Sequence, residues 1–117
     1  MLTIYGIKNC DTMKKAMRWL DDAGVAYTFH DFRVAGIEPG KIAAWCASLG
    51  WETLLNRRGL TWRGLSDAQK QGMDEVRAIA LMAEYPALIK RPVLEFADHI
   101  EVGFSPERYE ALLAPSA

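Results

Sequence analysis

The feature that most constrains this chain is a strand–helix–strand pattern at its N-terminus. Residues 2–7 alternate apolar and small or polar side chains with β-branched content, which predicts a strand. The apolar residues that follow recur at helical spacing: Met13, Ala16, Met17 and Leu20. Gly24 marks the end of that helix, and residues 25–32 predict a second strand. Because two strands joined through a helix pair in parallel, the pattern predicts an α/β fold with a βαβ unit.

The middle of the chain predicts helices. Residues 33–40 form a connector, and the stripe after it is helical: Ile42, Trp45, Cys46 and Leu49. Residues 51–65 have no clear period and predict a short helix with a loop. Ser66 and Gln69 form a capping box, which opens a polar helix. The apolar stripe of a further helix ends at Pro86.

The C-terminal part predicts two strands and a helix. Residues 88–96 indicate a strand interrupted by Pro92, and the alternating residues 100–104 predict a hairpin partner. Ser-Pro-Glu at 105–107 is a strong helix start. We predict a mixed four-stranded sheet with helices on its faces, which is the thioredoxin-fold pattern, in one domain over 1–117. A helical segment is inserted at about 38–86, and the tail 114–117 is the only loose end.

Charge and cysteine content exclude several classes of protein. Fourteen Lys and Arg against fifteen Asp and Glu give a net charge of -1, which argues against nucleic-acid binding. No apolar run is long enough to span a membrane, and the N-terminus lacks signal-peptide features. Two distant cysteines do not form a disulfide scaffold. We therefore expect a cytoplasmic protein in a reducing compartment, and a monomer.

Cys10 lies at the junction of the first strand and the first helix. The unpaired N–H groups and the dipole at a helix N-terminus favour a thiolate, so we expect its pKa to be lowered. Lys8 and Lys14 are close in sequence and could add positive charge. The alternative is a small side chain packed under the turn, which the polar neighbours make a poor fit.

The residues after Cys10 exclude two mechanisms. A dithiol oxidoreductase needs a second cysteine three residues on, where this chain has Met13. A cysteine phosphatase needs an arginine six residues on, where it has Ala16. A disulfide formed at Cys10 must then be resolved by an external thiol, for which glutathione is the obvious donor.

The other candidate residues allow two interpretations each. Cys46 lies on an apolar stripe and is expected to be a small buried hydrophobe, although a bridge to Cys10 remains open. Pro92 indicates either an edge strand or a cis bond, and Arg91 beside it is either an anion-binding fork or a surface residue. The arginines at 57, 58 and 63 form either a solvated face or a ligand site. The isolated histidines, His30 and His99, lack metal-ligand spacing, so we expect no metal.

Four segments in order resemble the arsenate-reductase-like ArsC/Spx family, and within it the branch of small YffB-type proteins. They are Gly-Ile-Lys-Asn-Cys at 6–10, Leu-Leu-Asn-Arg-Arg-Gly at 54–59, Tyr-Pro-Ala-Leu-Ile-Lys-Arg-Pro at 85–92 and Gly-Phe-Ser-Pro at 103–106. The resemblance covers essentially the whole chain. It implies a thioredoxin fold with a helical insertion, Cys10 as nucleophile, Arg91 as an anion-binding arginine and a cis Pro92 beside the thiol.

This chain departs from the family's patterns at three places. Glutaredoxin-coupled arsenate reductases carry three arginines around the nucleophile; here one is matched, one is displaced from Asn56 to Arg57, and one is replaced by the Gly-Phe pair at 103–104. Missing charge-assisted donors would each cost an oxyanion about 1.5–3 kcal/mol. Spx-type regulators usually carry a Cys-x-x-Cys switch, which Met13 interrupts.

We therefore predict a glutathione-dependent thiol–disulfide reductase in which Cys10 and Arg91 are catalytic. The substrate-binding candidates are Lys8, Asn9, Asp11, Thr12, Arg57 and Pro92. No cofactor is bound permanently, and glutathione is the expected co-substrate. The expected partners are glutathione or a glutathionylated protein, with neither nucleic acid nor membrane. The alternatives are a non-catalytic interaction module that resembles Spx and binds a protein partner, or a weak glutaredoxin-coupled arsenate reductase.

Overall fold

The computed structural model describes residues 2–113; Met1 and the tail 114–117, predicted to be loose, lie outside the described residues. The elements of the described residues are, in order, β1 Leu2–Gly6, α1 Asp11–Asp22, β2 Thr28–Asp31, α2 Phe32–Ala35, α3 Pro39–Leu49, α4 Trp51–Leu54, α5 Leu60–Arg63, α6 Asp67–Lys70, α7 Glu75–Glu84, a 3₁₀ turn Pro86–Leu88, β3 Val93–Phe96, β4 His99–Val102 and α8 Pro106–Leu113. The predicted mixed four-stranded sheet with helices is confirmed.

The sheet has the strand order β2-β1-β3-β4. β3 runs antiparallel to β1, with Tyr5 opposite Val93, and antiparallel to β4, with Val93 opposite Val102. The hairpin between β3 and β4 turns at Ala97, whose φ of 52° lies in the left-handed region. The predicted hairpin is therefore confirmed, and β3 lies between β1 and β4. The last strand ends at Val102 rather than at the predicted residue 104, because Gly103 has a φ of 84°, which leaves the extended conformation.

The chain divides into two compact units. One comprises the residues up to His30 and from Arg91 onward, and the other comprises Asp31–Lys90. The core of the first unit is a cluster of buried side chains from the sheet, α1 and α8: Leu2, Ile4, Met13, Ala16, Leu20, Leu94 and Tyr109. At the edge of this core Gly6 meets Met13 so closely that a Cβ at Gly6 would overlap the Met13 sulfur. The single-domain organisation and the insertion bounds stay predictions.

The second unit is helical. Its buried side chains come mainly from α3, α4, α7 and the 3₁₀ turn: Ile42, Trp45, Cys46, Leu54, Ala78, Met82 and Leu88. Pro39 opens α3 at the first turn, and its last turn precedes Gly50, as predicted. The predicted capping box of α6 is also present, because Ser66 Oγ accepts from the Gln69 N–H at 3.1 Å and Gln69 Oε1 accepts from the Ser66 N–H at 2.8 Å.

Four other sequence predictions are wrong in detail. The second strand is only Thr28–Asp31, because Asp31 caps α2 through its Oδ1, which accepts from the Arg33 N–H at 2.9 Å. The predicted connector 33–40 therefore holds most of α2 and the start of α3. Residues 51–65 form two short helices rather than one. The predicted strand 88–96 begins only at Val93, because residues 86–88 form a 3₁₀ turn and Pro92 lacks the N–H that a strand residue donates.

Candidate active site

Cys10 is the N-cap residue of α1, at the strand–helix junction where the sequence places it. Its backbone is extended, with φ −123° and ψ 128°, and its carbonyl accepts the first helical hydrogen bond, from the Lys14 N–H at 2.9 Å. The side chain is partly buried and packs against the core of the first unit. A thiol in this position faces the open N–H groups at the start of the helix.

Several groups act on the pKa of the Cys10 thiol. Burial raises it, but the backbone N–H of Met13, the Arg91 guanidinium and the backbone N–H of Thr12 outweigh burial and hold the pKa below its ordinary value. These groups favour the thiolate although the side chain forms no regular capping hydrogen bond. The lowered pKa agrees with the sequence prediction. The positive charge that helps to lower it comes from Arg91, whereas Lys8 and Lys14, which the sequence suggested, are exposed.

The pairing of β1 with β3 places Arg91 and Pro92 near the loop between β1 and α1, at the end of which Cys10 lies. Tyr5 lies opposite Val93, so the residues just before Val93 continue toward the loop that leaves β1. The Arg91–Pro92 bond is cis, Pro92 is buried, and its carbonyl accepts from the Gly103 N–H at 2.9 Å. Arg91 is partly buried and hydrogen-bonds the Cys10 sulfur. The structure thus brings together the predicted pair of Cys10 and Arg91.

The remaining predicted site residues divide into two groups. Lys8, Asn9, Asp11 and Thr12 surround the thiol in the loop and the first helical turn, and all four side chains are exposed. Arg57 belongs to the Asp31–Lys90 unit. There it lies over the Trp51 ring at 5.6 Å and pairs with Glu52 at 3.7 Å. A role of these residues in substrate binding stays a prediction.

Cys46 has the opposite environment. It is 3 % exposed on α3, and burial, together with the negative charge of Glu75, raises the pKa of its thiol. Both cysteines are free thiols, so the bridge left open by the sequence is absent from the structure. The interpretation of Cys46 as a small buried hydrophobe is confirmed.

Sequence reasoning missed a buried carboxylate in the first unit. Glu101 is only 5 % exposed although the apolar alternation of β4 indicates a polar face at this position. Arg108 of α8 donates to it, and His99 Nε2 lies 3.3 Å from its other oxygen. Their hydrogen bonds hold the pKa of Glu101 below its ordinary value. The ion pair between Arg108 and Glu101 links α8 to the sheet. No local sequence pattern distinguishes Glu101 from an exposed strand residue, so the sequence could not predict its burial.

The described residues form neither a metal-binding cluster nor a membrane-spanning helix. Within residues 2–113 no three His, Cys, Asp or Glu side chains are grouped so as to hold a metal ion. None of the helices in the described part of the chain is both long enough and apolar enough to cross a bilayer.

The sequence has relatives over nearly its whole length. The model of the ArsC family matches residues 5–112. An uncharacterized protein of Haemophilus influenzae is 40% identical, over 97% of this chain and 100% of its own. The global transcriptional regulator Spx 1 of Lactococcus lactis is 22% identical, over 97% of this chain and 89% of its own.

Solved structures give the same result. The YFFB protein is 53% identical with a TM-score of 0.95, over 97% of this chain and 100% of its own. An arsenate reductase (ArsC) related protein from Brucella melitensis is 46% identical with a TM-score of 0.76, over 97% of this chain and 95% of its own. Both matches cover nearly all of either chain.

Proposed function

The chain belongs to the ArsC family of arsenate-reductase-like proteins, and we propose that it is a glutathione-dependent thiol–disulfide reductase with one nucleophilic cysteine, Cys10. The observation that carries the proposal is the Cys10 thiol at the start of α1, whose pKa the Arg91 guanidinium and two backbone N–H groups lower. A thiolate is the form that attacks disulfides, and a lowered pKa makes more of it at neutral pH. The reaction needs a reducing compartment, which agrees with the expected cytoplasmic location.

The proposed cycle has two exchange steps. The Cys10 thiolate attacks the glutathione sulfur of a protein–glutathione mixed disulfide; a bond forms between these two sulfurs, and the protein thiolate leaves and takes a proton from water. A free glutathione thiolate then attacks the glutathione sulfur on Cys10. Glutathione disulfide leaves, and Cys10 returns as a thiolate. The protein–glutathione mixed disulfide is thus reduced by two electrons to a protein thiol, and one free glutathione supplies the second sulfur of the released glutathione disulfide.

Met13 supports resolution by an external thiol. It occupies the position where a dithiol enzyme holds its second cysteine, and it is fully buried against Gly6. Cys46, the only other cysteine, is buried and has a raised pKa. Neither side chain offers a thiolate to the Cys10 disulfide, so a second glutathione is the proposed resolving group.

Arg91 and Pro92 have separate proposed roles. Arg91 stabilises the resting thiolate and, once the sulfur is bonded to glutathione, holds a glutathione carboxylate. Pro92 has no N–H, and its carbonyl already accepts from Gly103. Backbone pairing with glutathione therefore falls to the Arg91 side of this peptide.

Arsenate reduction is a second candidate, favoured by the positive charge beside the thiol and by the name of the Brucella relative. Phe104 argues against it. Gly103 lies beside Pro92 through its hydrogen bond, and Phe104 packs on the same core as Cys10. An aromatic ring there supplies no donor to an oxyanion. Arsenate-dependent consumption of glutathione would identify this activity.

A protein-interaction module is the candidate from a different class. Leu60 is 81% exposed beside the arginines at 57 and 58, and the Spx relative is a transcriptional regulator. A module without chemistry does not need an activated thiol. The reactivity of Cys10 therefore separates this candidate from the reductase.

The decisive experiment is peptide-resolved mass spectrometry of the reduced chain after incubation with glutathione disulfide at neutral pH. We expect one glutathione on Cys10, removed again by free glutathione, and none on Cys46. The Cys10→Ser variant serves as the negative control and Cys46→Ala as the matched thiol control. An unmodified Cys10 in the folded chain would contradict the reductase and make the interaction module the leading candidate.

A further inference from the structure

The Asp31–Lys90 unit contains a surface cavity that the proposed reductase mechanism does not need. Its volume is about 380 Å³, within the range of small-molecule sites. It is lined by Glu52, Leu55, Asn56, Arg57, Arg58 and Lys90. Only Arg57 among these residues is a predicted substrate contact.

The backbone frame of the cavity is fixed by short-range pairing within this unit. Leu55 and Ile89 form an antiparallel bridge. The Asn56 N–H donates to the Leu88 carbonyl at 2.7 Å, and the Lys90 N–H donates to the Leu54 carbonyl at 2.9 Å. Three consecutive residues on each side are therefore held in register, which places Lys90 across the ladder from Leu54 and Asn56 across from Leu88.

The loop after this ladder is also ordered by its own contacts. Asn56 Oδ1 accepts from the Arg58 N–H at 3.0 Å, which closes an Asx turn. The Asn56 amide nitrogen lies against Gly59, where an added Cβ would approach it to 3.0 Å. The two arginines thus project from a constrained turn, and ordering them around a ligand costs less entropy than ordering a free loop.

The charges of the cavity are unbalanced. Glu52 pairs with Arg57 at 3.7 Å and so offsets one of the three cations. Arg58 and Lys90 are exposed and, within residues 2–113, form no ion pair with a carboxylate. Two uncompensated positive charges therefore face one cavity whose other wall is the apolar Leu55.

We propose that this cavity binds a small molecule that carries a dianionic group, and that Arg58 and Lys90 supply the two charges that select it. A guanidinium gives paired hydrogen bonds to phosphate or carboxylate oxygens, and an ammonium adds a point charge. The shared ligand chemistry is two negative charges on neighbouring oxygens, as in a phosphate monoester or a dicarboxylate. Glu52 keeps Arg57 at the rim and accepts a hydrogen bond from a hydroxyl or amino group of the ligand.

The test is a titration of the ¹⁵N-labelled full chain, followed by NMR of its backbone amides. The probes are inorganic phosphate at slightly alkaline pH, where it is mainly a dianion, succinate as a dicarboxylate, and acetate as a monoanion. Sodium chloride of equal ionic strength is the baseline. We expect saturable shifts at the amides of residues 56–59 and Lys90 with a dianion and little change with acetate. The stronger of phosphate and succinate identifies the dianion class.

The variants make the proposal specific. Replacing both cations in Arg58→Gln/Lys90→Gln removes two charge-assisted contacts, so we expect affinity to fall at least tenfold. Arg63→Gln removes an exposed arginine of the same unit that does not line the cavity, so we expect unchanged affinity. Both variants change exposed side chains, and their spectra report directly whether they fold.

Three results would overturn the proposal. The first is that phosphate and succinate both give the same amide chemical-shift changes as the sodium chloride baseline. The second is that the Arg58→Gln/Lys90→Gln variant binds the dianion as tightly as the native chain. The third is a set of shifts centred on the amides of Thr12 and Met13, which would assign the dianion to the thiol. The readout does not involve disulfide exchange, so failure of the glutathione experiment leaves this proposal standing.

Discussion

The two cysteines show how strongly position alone determines what one side chain can do. Cys10 caps a helix beside a guanidinium, and its thiol pKa is lowered despite partial burial. Cys46 lies inside a helix that packs in the core of the second unit, and burial and Glu75 raise its pKa. Burial acts in the same direction on both thiols, because it raises the pKa of each. The difference comes from hydrogen-bond donors and positive charge, which Cys10 has and Cys46 lacks.

This difference shows that neither cysteine count nor exposure alone identifies a reactive thiol. Residues inside a helix have their N–H groups paired within the helix, whereas the N-cap faces several that are open. A thiolate at the N-cap therefore gains hydrogen bonds that a mid-helix thiolate cannot obtain. Arg91 adds a charge to the same corner.

The largest expected effect is a contrast in alkylation rate between the two thiols of the folded native chain. We expect iodoacetamide to modify Cys10 at least about 100-fold faster than Cys46 at neutral pH. Cys46 reacts only after its core opens, and every 1.4 kcal/mol of opening free energy slows it about tenfold. Peptide mass spectrometry over time gives both rates. Equal alkylation rates of Cys10 and Cys46 in the folded chain would contradict the proposed difference between the two thiols. The urea-unfolded chain is the control, in which we expect the two rates to converge.

A smaller effect isolates the contribution of Arg91. In Arg91→Met the thiolate loses one charge-assisted hydrogen bond, so we expect the pKa of Cys10 to rise and its alkylation at neutral pH to slow several-fold, up to about tenfold. The pH dependence of alkylation measures both. Lys8→Met is the matched control, because it also removes one positive charge, from an exposed side chain in the loop that precedes Cys10. A rise in the Cys10 pKa as large in Lys8→Met as in Arg91→Met would contradict the conclusion that Arg91 lowers this pKa.

The smallest effect is on stability, and it has opposite signs for the two thiols. When the pKa of a thiol is lower in the folded state than in the unfolded state, ionisation of that thiol stabilises the fold. This contribution is complete at pH values above the unfolded-state pKa, and it is lost as pH falls through the folded-state pKa. The stability advantage of the native chain over Cys10→Ala should therefore grow as pH rises toward the ordinary value of 9.0. A raised folded pKa acts in the other direction, so the advantage over Cys46→Ala should shrink above 9.0.

Urea unfolding at a series of pH values measures both differences. Each alanine variant also loses packing, but that loss does not vary with pH. If the stability difference from the native chain varied with pH in the same way for both variants, the two thiols would not differ in ionisation.

Much of the fold was predictable because local patterns determine it. The helical spacing before Gly50 and the capping box at Ser66 each indicate an element that the structure contains. The start of β3 was mislocated because residues 88–91 have strand-like side chains, and only the 3₁₀ turn after Pro86 shows that the backbone turns there. The second strand was predicted to run to Phe32 because aromatic side chains alternate there, and the Asp31 cap that begins α2 is evident only from its hydrogen bond with the Arg33 N–H.

The site was predictable only in part, because its charge comes from residues distant in sequence. Helix-terminus physics places Cys10 correctly from local sequence alone. The sequence pointed to Lys8 for positive charge because it is near in the chain, whereas Arg91 is near in space through the β1–β3 register. Register between strands so far apart in sequence is not visible in either strand alone. The buried Glu101 is hidden for the same reason, since its partner Arg108 lies on another element.

The contact between Gly6 and Met13 has a consequence for redesigning this chain. Met13 occupies the resolving position of a dithiol motif, but here it serves as filler for the space that Gly6 leaves open. Installing a cysteine at 13 therefore exchanges a large side chain for a small one inside the core. A dithiol version of this protein calls for a paired change, in which Gly6→Ala restores part of the lost volume. The monothiol character of the chain is thus coupled to its packing, and a single substitution cannot convert one chemistry into the other without loosening the core.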